Sequence, residues 1–188
     1  MVPFLYLGAK HMFTGYDHVL FLVGVVFFLY RPGQVVLYVS LFTLGHSITL
    51  LVGVLAGWRV DPYLVDAIIG LSVVYKAFEN MGGLDGLGRF RPDARVAVFV
   101  FGLFHGLGLA TRLTDLTLTD EGLLANLLSF NAGVELGQIA ALSIVLLLLV
   151  GWRVRPGFAG QAFAANALLM TCGFVLAGNQ LAGLVLVR

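Results

Sequence analysis

Six oily stretches run along the 188 residues, each closed by a short charged or glycine-proline break. A helix needs about 20 apolar residues, at about 1.5 Å each, to cross a hydrocarbon core about 30 Å thick. The first stretch covers about residues 4–30 and stops at Arg31-Pro32-Gly33, a charged helix-stopping turn. The second covers about residues 35–56 and closes on Gly57-Trp58-Arg59. The third opens at Asp61-Pro62, an N-cap followed by proline at the first helical position, and ends near Asn80. After a glycine-rich charged loop at residues 82–92, the fourth runs over about 94–113. Thr119-Asp120-Glu121 caps a fifth stretch over 122–150, long enough that it must tilt, bend or project. Trp152-Arg153-Val154-Arg155-Pro156 ends it, and a sixth occupies about 158–187. The pattern predicts an all-α integral membrane protein: one domain, a bundle of about six transmembrane helices in a lipid bilayer.

Polar residues stand out against this background by their spacing. On the second stretch Thr43, His46 and Ser47 fall at i, i+3 and i+4, with Ser40 a turn earlier. On the fifth, Asn131, Glu135 and Gln138 share one face, and Gly133 and Gly137 form a small-xxx-small pair that permits close packing. On the fourth, His105 sits among Gly102, Gly106 and Gly108. In lipid such faces are satisfied only by a shared interior. On the first stretch His11 and His18 share a face but lie about 10 Å apart along an unbroken helix. Either the helix breaks near Gly15, or the two rings serve successive stations. Asp17 is placed to orient a neighbour as a hydrogen-bond acceptor. The third stretch carries Asp66 near one end, readable as a helix-start charge or as part of a site. Lys76 and Glu79, a neutralising i, i+3 couple, lie near the other. Gly15-Tyr-Asp-His18 and Gly102-Leu-Phe-His105 share a Gly-x-x-His pattern, a short hint of a 3+3 pseudo-repeat of inverted topology.

Composition narrows the function. Residues are 60% hydrophobic and 11% charged, with mean hydropathy +0.98; soluble domains carry about 25% charged residues. A net charge of +1 gives no field for nucleic acid. Cys172 is the single cysteine, which excludes an internal disulfide or a thiolate cluster. The loops after the first, third and fifth stretches hold Arg31, Arg89, Arg91, Arg95, Arg153 and Arg155. The other side holds Arg59, Arg112, Arg188 and Lys10. The richer side is therefore expected in the cytoplasm and both termini outside. The start Met-Val-Pro-Phe-Leu-Tyr lacks a basic leader region, so the first stretch is expected to be retained.

All four histidines fall inside the oily stretches, where an ionisable group costs roughly 2.5–3.5 kcal/mol on insertion scales. Imidazole and carboxylate together suit borderline divalent metals. The expectation is an intramembrane site for a divalent transition-metal cation. His18, His46 and His105 are its direct ligands, Asp17 or Glu135 adds negative charge, and His11 is a first station. Ser47, Thr43, Asn131, Gln138 and Asp66 are the supporting polar groups. Two rivals use the same residues. One is an intramembrane zinc hydrolase with Ser47 or Glu135 as auxiliary group; the other is a membrane metal sensor without flux. No ATP-binding motif is present, so a gradient or another chain must supply any driving energy. Monomer and homo-oligomer both remain open.

At these residues the chain resembles the HupE/UreJ family of bacterial membrane proteins. His11, five residues, then Asp17-His18 is similar to the family's first-span signature, and Phe104-His105-Gly106 to its Phe-His-Gly signature. Thr43-Leu-Gly-His46-Ser47 and Asn131-Ala-Gly-Val-Glu135-Leu-Gly-Gln138 resemble its second and fifth spans. The resemblance covers nearly the whole chain. It implies a non-enzymatic permease of a bacterial inner membrane. Nickel is the usual cargo, with zinc, cobalt or iron as alternatives. One departure stands out: Phe-His-Gly continues Leu107-Gly108-Leu109-Ala110, without the glutamate some members carry there. Glu135 is the carboxylate expected to replace it.

Overall fold

The computed structural model describes residues 2–114 and 122–186. Its elements are helices α1 (Val2–Thr14), α2 (Tyr16–Val26), α3 (Pro32–Leu55), α4 (Pro62–Asn80), α5 (Ala94–Thr114), α6 (Leu123–Arg153) and α7 (Phe158–Leu186), with a short 3-10 helix (Asp85–Phe90) between α4 and α5. Helices α3, α5, α6 and α7 are long and apolar enough to cross a membrane. Helix α4 has 19 residues and carries the three charges Asp66, Lys76 and Glu79, while α1 and α2 divide the first oily stretch at Gly15. The protein is thus an all-α membrane bundle. Large apolar side chains such as Leu147, Leu148 and Val185 point outward, as they do where lipid is the solvent.

The helix boundaries follow the sequence signals closely. Asp61 caps α4 by accepting the backbone N–H groups of Tyr63 and Leu64, and Pro62 takes the first helical position. Two ends differ from expectation. Pro32 begins α3 rather than merely ending the previous stretch, because a proline costs nothing in the first turn. Helix α2 stops at Val26, and Arg153 of α6 donates to the carbonyls of Val26 (2.7 Å), Phe27 (2.7 Å) and Leu29 (3.1 Å). The expected Thr119-Asp120-Glu121 cap lies outside the described residues, as does Arg188.

Three helix pairs build the bundle: α3 with α5, α1 with α6, and α4 with α7. The first two are parallel, and glycines bring their backbones together. A Cβ on Gly45 would strike the carbonyl oxygen of Phe99, and one on Gly102 that of Phe42. A Cβ on Gly133 would strike the carbonyl oxygen of Leu5, and one on Gly8 that of Phe130. Exchanging the first three spans with the last three maps one pair of contacts onto the other: Gly45 onto Gly133, and Gly102 onto Gly8. The antiparallel α4–α7 pair maps onto itself, with Gly70 against Ala177 and Gly173 against Val74. The 3+3 relation is therefore present, but its register differs from the sequence hint. Gly8-Ala-Lys-His11, not Gly15-Tyr-Asp-His18, is the counterpart of Gly102-Leu-Phe-His105.

At one end of the bundle a charged cluster closes α4. Lys76 and Glu79 pair at 2.7 Å as expected, both buried, and Arg91 from the following loop reaches Glu79 at 3.3 Å. Asn80 donates to Gly24 O (2.8 Å) and Asn166 Oδ1 (2.9 Å), tying α4 to α2 and α7.

Candidate metal site

The helix break at Gly15 makes the site. Gly15 has ψ near 89°, so the chain leaves the helical path for one residue while its N–H still bonds His11 O at 2.8 Å. The detour brings the His11 and His18 rings to 5.0 Å between centroids, half their separation along a straight helix. Of the two arrangements the sequence allowed, the broken helix is the one adopted. A side chain at residue 15 would crowd this turn. A Cβ there would lie 3.0 Å from His18 Nδ1, 3.1 Å from His11 O and 3.2 Å from Asp17 Oδ1.

His18 is the hub. Its ring lies 4.8 Å from that of His105 on α5, 5.9 Å from that of His46 on α3 and 5.0 Å from that of His11 on α1. His18, His46 and His105 are buried almost completely. Phe21, Phe42 and Phe101 pack beneath them, with Phe21 5.3 Å from the His105 ring and Phe42 4.9 Å. The Gly102–Gly106 contact face seats His105 close against α3, where His46 is carried.

The second ring nitrogens decide what these imidazoles offer. His105 Nδ1 stands 2.7 Å from Phe101 O. A carbonyl only accepts, so Nδ1 carries the proton and Nε2 presents its lone pair. His18 Nδ1 stands 3.0 Å from Asp17 Oδ1, which also accepts the His18 backbone N–H at 3.0 Å. That carboxylate–imidazole contact holds the ring and leaves Nε2 free, the arrangement found behind metal-bound histidines. Asp17 thus orients its own neighbour. The Nε2 atoms of all four histidines, and Nδ1 of His46, are buried without a partner. As they stand, no group of three or more His, Cys, Asp or Glu side chains among the described residues is already arranged to hold one ion.

A cavity of about 180 Å³ adjoins the cluster, lined by His11, Thr14, Gly15, Asp17, His18, His105, Asp66 and Arg112 among others. It extends toward the bundle end where α3 and α5 finish and α4 begins. Asp66 is at its mouth, paired with the exposed Arg112. From the sequence Asp66 was open to two roles and Arg112 had no role at the site. The available signal was spacing: Arg112 follows His105 by seven residues, two turns along the same face.

Glu135 is not part of this cluster, which corrects the expectation that it supplies the missing carboxylate. It lines a separate groove between α3 and α6, together with Thr43, Ser47, Asn131 and Gln138, and the two linings share no residue. The reason lies on α6 itself. Gly133 and Gly137 face α1, and Glu135 projects about 200° around from Gly133, away from the histidine-bearing α1. Ser47 exchanges hydrogen bonds with Asn131 (2.8 and 3.1 Å), and Thr43 Oγ1 donates to Gln138 Oε1 at 3.2 Å. Ser47 is therefore engaged across the groove with Asn131.

A model of the family described as HupE / UreJ protein matches residues 1–188, the whole chain. No curated protein and no solved structure matches it.

Proposed function

The chain belongs to the HupE/UreJ family over its whole length, and from that premise we propose that it carries a divalent transition-metal cation, nickel first, across the membrane through the histidine cluster. The family ties the chain to metal-related membrane proteins. The observation that supports transport through this site is the meeting of four imidazoles, on α1, α2, α3 and α5, with every Nε2 free of other partners.

In this reading the ion reaches the mouth at Asp66 and His11, then sheds water to His18 and His105. His46 adjoins the same hub from α3. Asp17 holds the His18 ring and offsets part of the charge. Neutral imidazoles and a single carboxylate bind an ion loosely enough to release it, which a carrier requires and a structural metal site does not. The Arg-rich loops face the cytoplasm of a bacterial inner membrane, and the cavity opens to the outside. The chain acts as a permease, with the metal as cargo and no bond made or broken.

Uptake of radioactive nickel into proteoliposomes tests this. The wild-type chain takes up the ion, and His18→Ala, His46→Ala and His105→Ala fall to background. If both His46→Ala and His105→Ala transport like wild type, the reading is wrong. Saturable nickel binding without any flux would instead mark a sensor.

A further inference from the structure

The groove between α3 and α6 has features that the histidine site does not use. It encloses about 570 Å³ at membrane depth and faces outward. Ser40, Thr43 and Ser47 line it from α3, and Asn131, Glu135 and Gln138 from α6. Glu135 is exposed in the groove, and among the described residues no hydrogen bond or ion pair engages it. Among the described residues no other formal charge lines the groove. A solitary carboxylate at this depth is expensive unless it takes up a proton or meets a counter-charge. Gln138 is 1% exposed, yet its Nε2 has no partner. A half-turn of that amide keeps its bond to Thr43, because a hydroxyl both donates and accepts, and leaves Oε1 an unpaired acceptor in the groove wall.

We propose that the α3–α6 groove is a second cation site, built of oxygen ligands around Glu135, and that it takes Na⁺. Two arguments select the ion. The donors are one carboxylate, hydroxyls and amide oxygens, with no nitrogen or sulfur lone pair, which suits hard cations and not the borderline metals the imidazoles prefer. One carboxylate neutralises one positive charge; a divalent ion would leave an unbalanced charge beside lipid. The site also spans two tightly zipped pairs, α3–α5 and α1–α6, which meet there through the Thr43–Gln138 and Ser47–Asn131 bonds. An ion held between them would bias their relative position. That coupling role rests on the transport reading above; the binding itself does not.

Equilibrium binding of radioactive Na⁺ to the purified chain in lipid nanodiscs tests the site, with nickel binding measured on the same preparations. Saturable Na⁺ binding is expected in wild type and in His18→Ala. Glu135→Gln should weaken it by about tenfold or more, the loss of about 1.4 kcal/mol, while nickel binding persists. Thr43→Ala removes a neutral oxygen and should weaken Na⁺ binding by a smaller factor, which decides the matter if Glu135→Gln does not fold. Absence of saturable Na⁺ binding in wild type, or unchanged Na⁺ affinity in both groove variants, overturns the proposal. Failure of nickel flux with Na⁺ binding intact would strike the transport reading alone.

Discussion

Replacing Gly15 by alanine separates what stabilises the helices from what makes the site. Alanine is favoured over glycine in a helix by about 0.8–1.0 kcal/mol, so the substitution pushes the first stretch toward a continuous helix. The added Cβ would also sit 3.0 Å from His18 Nδ1 and 3.2 Å from Asp17 Oδ1, the two atoms of the contact that holds the ring. A straightened helix returns His11 and His18 to about 10 Å apart along the axis. Even a partial response disturbs the Asp17–His18 bond, and loss of such an outer partner typically costs about 10–100-fold in metal affinity, or about 1.4–2.8 kcal/mol. Gly15→Ala should therefore bind nickel about 10–100-fold more weakly while melting at the same temperature or higher. Titration calorimetry in nanodiscs, paired with a thermal melt, measures both. Affinity within twofold of wild type would refute the claim that this break assembles the site.

Other substitutions probe the remaining supports. Asp17→Asn keeps an acceptor but removes the charge behind His18, and is expected to lower nickel affinity by about tenfold or more in the same titration. Gly106→Ala puts a methyl against His46 O and Thr49 Oγ1; a loss of about 1–3 kcal/mol is expected in denaturant unfolding from micelles. Arg153→Met strips three carbonyls at the end of α2 of their donor, and should cost about 1–3 kcal/mol by the same measurement. Arg112→Gln frees Asp66 at the cavity mouth. Since Arg112 is 58% exposed, nickel affinity should rise by no more than about fivefold, within the range of an exposed ion pair.

Much of this architecture is written in local chemistry. Span lengths, the Asp61 cap and the Gly15 break follow from hydropathy and backbone rules that need no knowledge of neighbours. That His18, His46 and His105 would lie beside one another was legible because lipid leaves buried polar groups only one place to go. Partnership between helices was less legible. Spacing shows that Asn131, Glu135 and Gln138 share a face, but not that α3 rather than α2 lies opposite. The glycines held part of that information. Gly133 and Gly137 mark the side of α6 that touches another backbone, and Glu135 lies on the reverse side. The same glycines correct the repeat, since matching their contacts selects His11 over His18 as the counterpart of His105.

The glycine seams have a mechanical consequence. Backbones that meet without intervening side chains have no soft layer to deform, so α3 with α5, and α1 with α6, must each shift as a unit. His46 and His105 ride on one unit and His11 on the other, while His18 hangs on the short arm between. Sliding the units past each other would pull the imidazoles apart without unfolding a turn. Cargo gripped by both units would work as a rivet, and letting go of it would free them to slip.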